Sequence, residues 1–217
     1  MTVTTFVLRI AVDGIVAKER LSLPAANRFI YVRAGDAIAR SDSVAASLSE
    51  GSGQTSAQAI VIEGGQHGAS VLRWELVRAG TAAWGSAQSR GLLGKSIELT
   101  DPQGYLLRAD RVDFPLGGIA YTHTHRGPGI RCLLRGEISV DAAGETHAVK
   151  PGEAWFESGP DPVLATASSV ELTSFARVMI LPRELAGKSS IRYVKPEDAD
   201  KPKSQRYQIF ADEPIEL

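Results

Sequence analysis

The chain of 217 residues is long enough for one large domain or for two of about 100 residues each. Its 24 Lys and Arg against 25 Asp and Glu leave a net charge of −1, which argues against nucleic acid or an anionic membrane as a partner. At 43% hydrophobic residues it is too apolar for a disordered chain, and its single cysteine, Cys132, excludes an internal disulfide framework or a cysteine-based zinc cluster.

The N-terminal stretch from Met1 to Arg9 lacks the cationic start and apolar run of a secretory signal, and no segment is an uninterrupted apolar span. A cytoplasmic location is the default expectation. Apolar and β-branched runs at Arg28 to Val32, Gln58 to Ile62, Ser70 to Val77, Tyr105 to Phe114, Ile130 to Leu134, Glu137 to Val140 and Leu172 to Leu181 read as strands. Clusters of Gly, Pro, Asp and Ser separate them, the pattern of an all-β sandwich or barrel. Ser41 to Ala57 reads as a loop, residues 85–96 as a linker, and residues 191–217 as a tail that packs on a barrel or a neighbouring subunit and carries no identifiable chemistry.

An offset of 101 residues aligns Phe29 to Asp36 with Ile130 to Glu137, each an apolar run ending in Gly and an acid. At the same offset Gly51 falls on Gly152 and Trp74 on Phe175, and the Gly-to-Gly spacing is 16 residues in both halves. The expected organisation is therefore a β-barrel over residues 1–84, a linker, a second barrel over 97–190, and the tail.

Three of the four histidines, His123, His125 and His147, fall within 25 residues, and the first two form His-Thr-His. Residues two apart on a strand point to one face, so both imidazoles can converge on one point, as a metal site requires. Neutral imidazole suits Fe, Mn, Ni, Cu or Zn. His147 reads as a surface or rim residue. Arg131 interrupts the apolar run from Ile130 to Leu134. A buried guanidinium needs a partner, either an internal acid such as Asp110, Asp113 or Glu157, or an anionic ligand that its planar fork can hold. Cys132, facing the other way, reads as a small core residue.

Gly117, His123, His125, Gly129 and Gly136, at spacings of five, one, three and six intervening residues, resemble the first signature of the cupin family, with Gly129 where that family carries Glu. Pro151-Gly152-Glu153 stands where the second signature opens. The resemblance implies two tandem double-stranded β-helix barrels, a bicupin, whose first barrel is degenerate. Its positions Ser22, Pro24, Arg28, Ile30 and Ile62 stand where the second has His123, His125, Gly129, Arg131 and Val163. The resemblance also implies one divalent transition metal held by three His and one Glu, of which only His123 and His125 match, because Val163 occupies the third-His position. Two imidazoles alone hold a metal weakly. Either another ligand completes the site, with Glu157 the candidate carboxylate, or the barrel is metal-free.

Two functional readings follow. In the first, a metal on His123 and His125 serves an oxygenase, isomerase, decarboxylase or lyase acting on a small carboxylated or hydroxylated molecule. Arg131 binds the substrate anion there, and Tyr121 or Glu157 moves a proton. In the second, a metal-free barrel binds a small molecule without catalysis. A third option is a purely structural protein. A homodimer is what the resemblance implies for assembly.

Overall fold

Seventeen strands and two single 3-10 turns make up the described part of the chain, and no helix is long and apolar enough to cross a membrane. The structure, a computed structural model, describes residues 3–82, 86–100 and 104–217. The chain divides into two compact units, residues 1–102 with 215–217, and residues 103–214.

The first unit contains β1 (Val3–Ile15), β2 (Arg20–Leu23), β3 (Asn27–Arg40), β4 (Ala45–Ser49), β5 (Gly53–Ser56), β6 (Ile60–Arg78) and β7 (Ser89–Thr100). They pair in the order β4-β3-β6-β1-β7, with β2 on β6 and β5 on β3. The ladder between the long strands β3 and β6 shifts register twice, at Val32/Ala34 and Gly35/Ala37, and such irregularities let one ribbon bend around a core. Ile30, Val32, Leu48, Ile62 and Val71 are among the side chains that fill that core.

Two expectations are corrected here. Residues 89–96, read as linker, belong to β7, which pairs with β1 along its length. Residues 83–85, at the start of that stretch, lie outside the described residues. The segment read as a loop, 41–57, supplies β4 and β5.

The second unit contains β8 (Tyr105–Phe114), β9 (Ile119–His125), β10 (Gly129–Arg135), β11 (Ile138–Ala142), β12 (Glu145–Val149), β13 (Ala154–Glu157), β14 (Val163–Ala167), β15 (Thr173–Pro182), β16 (Ile191–Tyr193) and β17 (Arg206–Ile215). Two five-stranded antiparallel sheets result, ordered β13-β10-β15-β8-β17 and β12-β11-β14-β9-β16. Val112, Phe114, Leu133 and Phe175 from the first sheet pack against Ile138, Val140, Val163 and Ala165 from the second. The expected tail is built into the barrel, since β16 and β17 each close one edge of a sheet.

Strand parity then decides what the interior holds. Side chains two residues apart share a face, so inward Val112, Leu133 and Phe175 bring Asp110, Arg131 and Arg177 inward with them. All three charged residues are buried. One end of the interior is therefore apolar and the other is charged.

The repeat is visible in the backbone. The Val32 N–H donates to the Ser52 carbonyl and the Val32 carbonyl accepts from the Gly51 N–H, at 2.9 Å each, and Leu133 makes the same pair with Glu153 and Gly152 at 3.0 and 2.8 Å. Gly35 and Gly136 both take left-handed backbone, with φ of 77° and 75°, at the same turn. The offset changes further along. Phe29 pairs with Trp74 whereas Ile130 pairs with Val178, so Trp74 corresponds to Val178 rather than to Phe175. This correction matches Arg73 with Arg177. Both are buried, and both hold an aspartate from the neighbouring strand, Asp13 at 2.7 Å and Asp110 at 2.8 Å.

Candidate metal centre in the second unit

β9 carries His123 and His125 on one face, both buried while Thr122 and Thr124 are half-exposed, as period two requires. Their rings meet edge to face with centroids 4.9 Å apart. Glu157 ends β13, from which it enters the same space. One ligand atom from each of His123, His125 and Glu157 lies within 4.8 Å of the others, the one such group of three among the described residues.

Each donor is held in place. His123 Nδ1 lies 2.7 Å from the Tyr121 carbonyl, an acceptor only, so Nδ1 carries the proton and Nε2 keeps its lone pair. His125 Nδ1 is 3.2 Å from the Ser190 hydroxyl, which can accept from it and so hold the tautomer that frees Nε2. Glu157 Oε1 accepts from Trp155 Nε1 at 3.0 Å. Its Oε2 lies 3.6 Å from His125 Nε2 and 2.5 Å from Arg131 Nη2. The approach to Arg131 lacks hydrogen-bond alignment, so Oε2 and Nη2 are both buried without a hydrogen-bond partner.

The electrostatics favour neutral imidazoles. Burial pushes both histidines below their usual range, and for His125 the nearby Arg131 and Arg177 guanidinium groups push further in the same direction. For His123, the Tyr121 carbonyl and Glu157 oppose the shift without reversing it. Burial also lowers Arg131 to about 10, which leaves it charged at neutral pH.

The donor set fits a divalent transition ion. It offers two imidazoles kept neutral, one carboxylate, and a buried carboxylate oxygen that nothing in the chain hydrogen-bonds. The third-histidine position of the resemblance, Val163, lies directly across from His123 in the β9–β14 ladder and is packed in the apolar core.

The remaining sequence candidates fall in different places. Of the two partners open to Arg131, the structure has the internal one. It is fully buried, donates to the Gly129 carbonyl at 2.8 Å and pairs with Glu157. Asp110 and Asp113 are taken instead by Arg177 and Arg111. Tyr121 reaches the histidines through its carbonyl, while its ring lies under the Lys201 ammonium at 4.5 Å. His147 is exposed beside Glu145, and Cys132 is a buried core residue. Residue-by-residue reading of the sequence missed Trp155, Ser190 and Arg177. Arg177 carried the same signal as Arg131, a charge inside the apolar run from Phe175 to Leu181.

In the first unit the equivalent space is filled by charge pairs. Arg28, at the position of Gly129, donates to Glu75 at 2.9 Å, and Glu75 also pairs with Arg73 and Arg9.

No protein-family model matches the sequence, and no curated protein matches it. Solved structures do match. AerE from Microcystis aeruginosa superposes with a TM-score of 0.59 at 13% identity, over 81% of this chain and 88% of that one. An adduct of salicylate 1,2-dioxygenase from Pseudoaminobacter salicylatoxidans with gentisate gives 0.56 at 12%, over 93% and 72%. A Cupin 2 conserved barrel domain protein from Leptotrichia buccalis gives 0.50 at 16%, over 82% and 89%.

The chain has the cupin fold. Its two tandem jelly-roll barrels are unequal. At one end of its interior the first unit holds ion pairs, where the second holds two imidazoles and a carboxylate.

Proposed function

We propose that the second cupin barrel is a divalent-metal-dependent catalytic site of the non-haem oxygenase kind, acting on a small carboxylated or hydroxylated molecule. The observation that carries this reading is the convergence of His123, His125 and Glu157, because two histidines and one carboxylate with open positions form the donor set typical of ferrous oxygenases. The presence of a dioxygenase among proteins of the same fold supports it. A bound ion would supply Lewis-acid polarisation or oxygen activation.

The chain's own residues do the rest. His123 and His125 present lone pairs fixed by the Tyr121 carbonyl and Ser190. Glu157 brings the negative charge, oriented by Trp155 through Oε1 and by Arg131 through Oε2. Arg131 is a positioning residue in this scheme rather than the substrate anchor. The apolar packing of Val163, Leu133 and Phe175 closes one end of the barrel to water.

One observation favours the metal-free, ligand-binding reading instead. Glu157 already has a cationic neighbour in Arg131, so its charge is balanced without an ion. Oxygen uptake separates the two. Chain loaded with Fe(II) under anaerobic conditions and then mixed with oxygenated small hydroxy and carboxy acids should consume oxygen in a substrate-dependent way. A chain that retains no iron and shows no uptake across the panel would leave the metal-free binding protein.

A further inference from the structure

The cavity walled by β16 and β17 carries an inference about what the second barrel binds. It has a volume of about 400 Å³, within the range of small-molecule sites. Tyr193, Tyr207, Ile191 and Ile209 form its apolar walls, and all four come from the segment in which the sequence showed no chemistry.

Its floor is charged but internally satisfied. Arg177 holds Asp110 through two hydrogen bonds at 2.8 and 3.1 Å, and Arg108 holds Asp212 at 2.8 and 3.0 Å. Bidentate pairs of this kind offer no free charge to a ligand. Two further cations line the cavity, Lys188 and Lys203, and neither has an acidic partner among the described residues. The Lys203 ammonium is held by the carbonyls of Asp198, Ala199 and Lys201 and lies 4.3 Å from the Tyr193 ring centroid. The cavity therefore has a surplus of positive charge beside aromatic walls.

It reaches the histidines from behind, and none of His123, His125 and Glu157 lines it. Ser190 lines it and meets His125 Nδ1, and Ile191 and Tyr193 are the ladder partners of His125 and His123.

We propose that this cavity is the ligand chamber of the second barrel and takes a small aromatic carboxylate. The ring lies against Tyr193, Tyr207 and the two isoleucines, and the carboxylate meets Lys188, with Lys203, whose three hydrogens are taken by carbonyls, adding only its positive field. The proposal deepens the catalytic reading, on which it rests for any chemistry after binding, while binding itself is tested without metal.

The experiment is a calorimetric titration of the metal-stripped full chain with benzoate, cyclohexanecarboxylate, phenol and acetate, alongside Zn(II) retention. Benzoate should bind about tenfold more tightly than each of the other three. Tyr207→Ala should weaken benzoate by about tenfold, and Lys188→Met, at an exposed position that folding does not need, by about fivefold. Zn(II) retention should be unchanged in both variants. Benzoate binding intact in a chain that retains no metal supports the chamber and overturns the metal reading alone. Benzoate binding that both variants leave unchanged, acetate binding as tightly as benzoate, or no benzoate binding with or without Zn(II) overturns the chamber.

Discussion

Gly129 and Glu157 face each other across the β10–β13 ladder. The position where the cupin signature carries its carboxylate is bare, and the residue directly opposite on the neighbouring strand brings a carboxylate to the histidines instead. Packing explains why the original position stays bare. A Cβ at residue 129 would sit 2.7 Å from both Met179 Cγ and the Val178 carbonyl.

Gly129→Ala should therefore destabilise the chain by about 1–3 kcal/mol through overpacking, because one of the clashing atoms is backbone and cannot rotate away. Urea denaturation of the metal-free protein measures it. A change within experimental error would show that β10 and β15 can separate freely, contrary to the packing described.

Glu157→Gln should cost about 3–5 kcal/mol, because it leaves the buried Arg131 without its counter-charge. The double variant Glu157→Leu/Arg131→Met should recover most of that loss, since it removes both charges and fills the space with apolar groups. Equal stability of the single and double variants would mean that the pair does not interact.

The depressed histidines set a pH dependence. With folded values below the ordinary value of about 6.5, the unfolded chain binds protons that the folded chain does not, so stability of the metal-free protein falls as the pH drops below about 6.5. The slope is at most about 1.4 kcal/mol per pH unit for each histidine, and His125 approaches that limit more closely than His123. Between pH 6.5 and 5 it should flatten in His123→Gln/His125→Gln, because the depressed carboxylates Glu75 and Asp212 titrate lower still. Identical slopes for the two proteins would contradict the buried, neutral state of the pair.

Arg73→Met and Arg177→Met test the repeat. Each strips a buried aspartate of its bidentate partner, so each should destabilise its own unit by about 3–5 kcal/mol. Hydrogen exchange resolves the effect by unit, with faster exchange in β1 and β6 for the first variant and in β8 and β15 for the second.

What the sequence disclosed depended on how much each strand buries. Central strands are legible because both faces need apolar residues, and Tyr105 to Phe114 was read with the bounds that β8 has. Edge strands bury little. In β7 only Ile97 and Leu99 are buried, with two glycines earlier in the strand, which makes a Gly- and Ser-rich strand look like a linker. β17 failed for the same reason. β1 is different, because Phe6, Leu8 and Ile10 alternate inward and that signal was present but not used. At the site, His-x-His parity placed both imidazoles, and Glu157 could be named but not oriented, because a one-residue slip turns a strand residue over. Ser190 left no signal. It comes next to His125 only through the pairing of β16 with β9, a contact between residues 65 apart in sequence.

The most direct test of the account is metal stoichiometry by elemental analysis of untagged protein, in the wild type and in His123→Ala, His125→Ala and Glu157→Gln. The account predicts close to one transition ion per chain in the wild type, with at least about a tenfold loss of affinity in each variant, since three donors share one ion. Wild-type chain that retains none of Fe, Mn, Ni, Cu or Zn, or a Glu157→Gln variant that retains metal as the wild type does, would contradict it.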